Sequence, residues 1–159
     1  MKNLIVLFLG IAILSICACA KKIDTEADIE VIKNLTEEYD AAINSGDLDN
    51  WVSLFTDDAV RMPPNNPALV GKDAIRSVMQ SSFEKYTFDI KETAEEVIVA
   101  GDWAFARGTY TYTITPKAGG EPIGDDSGKW VAFHKRQPDG SWKFYRNIWN
   151  SDLPPSGTQ

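Results

Sequence analysis

Cysteine is nearly missing from this sequence: there are two, Cys17 and Cys19, and both precede Ala20. Everything downstream therefore has no disulfide and no thiol nucleophile. Histidine occurs once, as His134. Transition-metal sites draw on several His or Cys ligands, so neither a metal nor a cofactor is expected. Basic runs are also missing: 16 Lys and Arg stand against 23 Asp and Glu, a net charge of -7. An acidic surface repels phosphate backbones, which argues against nucleic acid as a partner. No glycine-rich phosphate loop follows a strand pattern, no Ser-His-Asp set can be assembled, and nothing repeats. Aromatic residues are present in quantity: five Trp, five Tyr and seven Phe supply a core or a lined cavity.

The amino-terminal segment reads as an export signal. Lys2 precedes an apolar run from Leu4 to Ile16, shorter than the roughly 20 residues a membrane span needs. Ile16-Cys17-Ala18-Cys19 then fits a bacterial lipoprotein signal, with Cys19 as the lipidated residue. Cys17 fits less well, because bulky Ile16 would adjoin the cut, and an ordinary signal ending at Ala18 or Ala20 is the alternative. The expected organisation is a signal peptide over 1–18, a tether over 19–24, one domain over 25–155 and a tail over 156–159. Placement in the cell envelope follows, on the outer membrane if the host is Gram-negative.

Beyond the tether the pattern is helices first and strands after. Ile32, Leu35, Tyr39 and Ala42 recur at helical steps, predicting a helix from Thr25 to about Asn44. Gly46 can end it and Asp47 can cap a short second helix that turns Trp51, Leu54 and Phe55 inward. Ala59 to Met62 reads as a brief extended piece, and Gly71-Lys72-Asp73 opens a third helix through Phe83. Strands are predicted over Thr87–Val99, Trp103–Thr115, Lys129–Arg136 and Trp142–Asn150, with a loop from Pro116 to Gly128. Helices followed by a meander predict an α+β fold with helices on one face of an antiparallel sheet.

Tyr39-Asp40-Ala41-Ala42-Ile43-Asn44-Ser45-Gly46-Asp47-Leu48-Asp49, then Leu54-Phe55-Thr56-Asp57-Asp58-Ala59-Val60, then Gly71-Lys72-Asp73-Ala74-Ile75-Arg76 resemble the nuclear-transport-factor-2-like superfamily. That group includes ketosteroid isomerase, scytalone dehydratase and SnoaL-type cyclases, and the chain end at Trp149-Asn150-Ser151-Asp152 resembles a SnoaL-like branch. The resemblance spans about residues 28 to 155. It implies a cone-shaped sheet curved around the N-terminal helices, a pocket between them, and a homodimer. One scaffold carries many chemistries here, so the likeness implies the fold and not the activity.

Ketosteroid isomerase uses an aspartate base, a tyrosine and a protonated aspartic acid. The tyrosine aligns with Tyr39. The base position falls near Pro63 and the second acid within Trp130 to His134, and neither holds a carboxylate. A His–Asp pair of the scytalone dehydratase kind would rest on His134 alone, which reads more simply as structural or solvent-facing. No catalytic residue is therefore assigned. Alternation places Phe105, Arg107, Thr109, Thr111 and Thr113 on one face, which the resemblance implies is the pocket wall. It implies the same for Tyr145, Asn147 and Trp149. Arg107 then meets either a ligand anion or an internal acid. The expected ligand-binding set is Tyr39, Arg107, Thr109, Asn147 and Trp149, and the expected ligand a small polar or anionic organic molecule. An enzyme acting through Tyr39 on a small carbonyl compound, and a dimeric interaction module with a vestigial pocket, are the alternatives. A titratable base close to Tyr39 would separate them; Asp40 and Asp58 are the candidates.

Overall fold

The computed structural model describes residues 25–153. The proposed signal, Cys17, Cys19, the tether and residues 154–159 lie outside the described residues. Helix α1 covers Thr25–Ser45 and buries Ile32, Leu35, Tyr39 and Ala42, as the stripe predicts. Gly46 takes φ 72°, and the Ile43 and Ala42 carbonyls accept from the Gly46 and Asp47 amides at the helix end. The Asp47 side chain then accepts from the Asn50 amide, 3.0 Å, and starts α2 (Leu48–Ser53). Strand β1 follows over Phe55–Met62, earlier than expected, and pairs with a two-residue strand β2 (Leu69–Val70) that the sequence does not announce. Helix α3 covers Lys72–Lys85. Strands β3 (Tyr86–Ala100), β4 (Trp103–Pro116), β5 (Asp125–Arg136) and β6 (Trp142–Ser151) complete the fold.

These strands form one curved, unclosed sheet of six, in the order β2-β1-β6-β5-β4-β3. Neighbours are antiparallel except β1 and β6, which run parallel. β5 starts at Asp125, so the expected loop is shorter by several residues. The early start has a cause: buried Asp126 accepts from the Tyr110 hydroxyl at 3.2 Å and from the Ser151 hydroxyl at 2.7 Å, joining β4, β5 and β6.

Helix α1 lies against β3, the edge strand. A sheet edge leaves unpaired amides and carbonyls that need partners. The Asn44 side chain meets both groups of Ile90, donating at 2.9 Å and accepting at 2.7 Å, and Asp40 accepts from the Glu92 amide at 2.9 Å. Two polar side chains of the helix thus serve as a surrogate strand. At the other end of α1, Asp28 accepts from Arg136 (2.8 Å to Nη1) and from the Trp142 indole (3.1 Å). The helix is held to the sheet at both ends, and the space left between them becomes the cavity.

Candidate functional site

Two bulges decide which side chains reach that space. In β6 the pairing shifts between Phe133 and His134, so that Phe144 lies opposite His134 and Arg146 opposite Phe133. Tyr145 is the extra residue. Phe144 and Asn147 are buried, and Asn147 and Trp149 line the cavity. Tyr145 turns outward against Trp103 and Lys135, correcting the expectation that it faces in. In β3 the shift lies between Ala94 and Glu96. It places Glu95 and Glu96 together on the outer face, opposite Arg107.

Arg107 is accordingly not a pocket residue. Its Nε donates to Glu96 at 2.7 Å and its Nη1 to Glu95 at 2.9 Å, with the side chain 48% exposed. Thr109 lies on the same outer face, and its hydroxyl donates to Glu95 at 3.4 Å. The register is opposite to the expected one: Tyr110, Tyr112 and Ile114 line the cavity, while Ala104, Ala106 and Gly108 continue that face where it is fully packed. Lys129 of β5 pairs with Asp152.

The cavity encloses about 490 Å³ between α1, α3 and the concave sheet. Its walls are mostly apolar, among them Ile43, Met79, Phe88, Ile90, Ile114 and Trp130. Exposed Asn66, Pro67 and Val78 mark its open side. The lining includes a polar group of four: Tyr39, Arg61, Glu92 and Asn147. Tyr39 and Asn147 belong to the expected set. Arg61 and Glu92 do not.

Arg61 enters from β1 and is 8% exposed. Its guanidinium lies between two indoles, 4.8 Å from the Trp51 centroid and 4.7 Å from that of Trp149. Nη2 donates to the Tyr39 hydroxyl at 2.9 Å, while Nε is buried without a partner. Among the described residues no carboxylate lies within ion-pair distance of it. A buried cation with an unpaired donor is costly, and indole faces offset only part of that cost. Tyr39 packs against Trp51, Phe55 and Phe144. Burial pushes its hydroxyl up to about 12 despite the opposing charge of Arg61. Its oxygen accepts from Arg61, so its own proton is available to the cavity.

Glu92 is the acid on the wall. Burial first, then the charge of Asp40, push it up to about 8, against the pull of Arg61. Asp40 itself is buried behind β3, and desolvation pushes it up to about 6 although the Glu92 amide and Lys91 favour its anion. Glu92 and Asp40 both interact electrostatically with Tyr39, and of the two only Glu92 lines the cavity. Asp58 is exposed on β1 and does not line the cavity. His134 is fully buried beside Phe144 and does not line it either, in keeping with a structural role. Among the described residues no cluster of three or more His, Cys, Asp or Glu could hold a metal ion.

Known proteins share this fold. A ketosteroid isomerase-like protein from Erwinia carotovora atroseptica superposes with a TM-score of 0.71 at 32% identity, over 80% of this chain and 98% of that one. A protein from Planctomyces limnophilus gives 0.73 at 22% identity, over 79% and 98%. A nuclear transport factor 2-like superfamily protein from Salmonella enterica gives 0.72 at 15% identity, over 84% and 97%. The last two share the fold. The SnoaL-like domain model matches residues 36–145, the stretch that holds Tyr39, Arg61 and Glu92, and with the cone-shaped sheet around α1 this places the chain in the SnoaL-like domain family of the nuclear-transport-factor-2-like superfamily.

Proposed function

We propose that this is a cell-envelope lipoprotein whose cavity binds a small organic molecule carrying a polar or anionic group. The observation that carries the reading is the buried Arg61, 8% exposed, in the lining of an apolar cavity, with a free Nε and, among the described residues, no carboxylate within ion-pair distance. Concave, mostly apolar spaces with a few converging polar groups are the usual form of small-molecule sites. Denaturing the purified protein and analysing what it releases by mass spectrometry tests this directly. A discrete organic molecule is expected from the wild type and is expected to be depleted in Arg61→Met. If nothing is released, and no small acid or carbonyl compound alters the tryptophan emission, the binding reading fails.

Glu92 favours a second reading, proton transfer on a carbonyl compound. A carboxyl held near 8 beside a tyrosine that keeps its proton is matched to acid–base work near neutral pH. Deuterium incorporated from solvent next to the carbonyl of a bound compound, and lost in Glu92→Gln, supports catalysis. Equal incorporation in Glu92→Gln removes Glu92 from that role.

Lipidation is proposed at Cys19, on the Ile16-Cys17-Ala18-Cys19 pattern. Two or more acyl chains hold a protein to a membrane where one is marginal. Cys19→Ala is expected to move the protein to the soluble fraction. Release by Cys17→Ala instead identifies the other cysteine.

A homodimer is proposed through the outer face of the sheet. Ile98 lies opposite Phe105, Phe105 opposite Phe133, and Val131 opposite Ile148. Ile98, Phe133 and Ile148 are 54%, 46% and 47% exposed, so a continuous apolar patch faces outward. Sedimentation is expected to give a dimer that Phe133→Glu converts to monomer. A wild type that stays monomeric at high concentration excludes it.

A further inference from the structure

The polar group in the cavity has a definite charge, and that charge selects a ligand class. Among the described residues Arg61 is the only basic side chain in the lining and Glu92 the only acidic one. Nothing else there can meet a second negative charge. Arg61 gives one Nη2–H to Tyr39 and leaves Nε–H unused although it is buried. Tyr39 accepts that bond and keeps its own proton to donate. Asn147 is 6% exposed, lines the same space, and its side chain has no hydrogen bond among the described residues. These are donors without acceptors among the described residues, and Arg61 Nε is fully buried. The rest of the wall, with Phe88, Ile90, Ile114, Met79 and Tyr112, offers apolar surface along β3, β4 and α3.

We propose, resting on the binding reading above, that the ligand is an apolar monocarboxylate whose carboxylate seats on Arg61 beside Tyr39 and Asn147 and whose body lies along the β3–β4 wall. A single carboxylate matches one guanidinium in charge and in planar shape. A dianion brings one charge more than the lining can pair, and a buried unpaired charge is strongly disfavoured. A neutral amide of the same shape leaves the cation unmatched.

Titration of tryptophan emission with 2-naphthylacetate, 2-naphthylacetamide, 2-ethylnaphthalene and naphthalene-2,6-dicarboxylate tests the class, because Trp130 and Trp149 line the cavity. The monoacid is expected to bind at least about tenfold tighter than the amide, the hydrocarbon and the diacid. Arg61→Met is expected to bring acid and amide to within about twofold of each other while the hydrocarbon changes little; Arg61→Lys is expected to keep part of the preference. An amide or diacid that binds the wild type as tightly as the monoacid overturns the class and leaves the cavity reading intact. Acid preference undiminished in Arg61→Met overturns the assignment to Arg61. Saturable binding by none of the four overturns both the class and the binding reading beneath it.

Discussion

A single methyl group added at Gly108 is expected to destabilise the domain by about 3 kcal/mol or more, at the upper end of what overpacking costs. Gly108 sits mid-strand in β4, and its backbone is not in the left-handed region. The constraint is space. A Cβ there would stand 1.8 Å from the carbonyl oxygen of Thr93 and 2.9 Å from Cζ2 of Trp130. Neither neighbour can yield cheaply. The carbonyl belongs to β3, and Trp130 is 2% exposed with its indole donating to the Thr109 carbonyl at 3.1 Å. Trp130 also lines the cavity, so the same change disturbs the site. Gly108→Ala is therefore expected to lower the urea midpoint strongly, while Thr111→Ala, on the exposed face of the same strand, stays within roughly 0.5 kcal/mol of wild type. Comparable midpoints for the two variants contradict the crowding argument.

Most of the fold was legible because its signals are local. The stripe of Ile32, Leu35, Tyr39 and Ala42 depends only on helical spacing, and Gly46 and Asp47 only on turn chemistry. The sites of Arg107 and Tyr145 were misplaced because facing depends on things that alternation does not record. Small Ala104, Ala106 and Gly108 already mark the β4 face that must admit packed neighbours, and Tyr110 and Tyr112 continue it. Bulges at Glu95 and Tyr145 then each flip the parity of a strand midway. Arg61 and Glu92 did carry a signal. Glu92 continues the two-residue period of Phe88 and Ile90, and Arg61 that of Ala59. Reading them as cavity residues takes knowledge of which face the helix covers. The position of Arg61 arises from a tertiary fact: β1 comes alongside β6, and so Arg61 slides between Trp51 of α2 and Trp149 of β6. No spacing within one segment encodes that meeting.

His134 and Glu92 are expected to drive the stability of the domain in opposite directions with pH, His134 lowering it as the solution becomes acid and Glu92 lowering it as pH rises toward 8. His134 is fully buried, both ring nitrogens lack partners, and burial pushes it down to about 3 from 6.5. Between those values the unfolded chain binds a proton that the folded chain refuses. Stability therefore falls as pH drops from 6.5 toward 3, by up to about 1.4 kcal/mol per pH unit. Glu92 acts in the opposite direction. It is pushed up to about 8 from 4.5, so the folded chain keeps a proton that the unfolded chain has lost. Its contribution is fully present below 4.5 and is lost as pH rises through 8. Asp40, raised to about 6 from 3.8, adds to the same trend at lower pH. Between 4.5 and 6.5 the His134 and Glu92 slopes oppose each other, Asp40 opposes His134 from 3.8 to about 6, and above 6.5 the Glu92 slope remains. His134→Leu replaces two unpaired nitrogens with carbon and is expected to lie within about 1 kcal/mol of wild type at pH 7. At pH 4 it is expected to exceed wild type by about 3 kcal/mol. Glu92→Gln keeps the shape and removes the proton. Its stability relative to wild type is expected to improve by on the order of 3 kcal/mol between pH 4 and pH 9, less than full desolvation implies because part of Glu92 still meets solvent. Urea unfolding of the three proteins at each half pH unit from 4 to 9 separates these terms. A His134→Leu curve running parallel to wild type from pH 7 down to 4 means that the folded domain accommodates the imidazolium, and the buried-neutral account of His134 fails. A Glu92→Gln curve parallel to wild type up to pH 9 means that Glu92 ionises freely in the cavity, which would also supply Arg61 with an internal counter-charge at neutral pH.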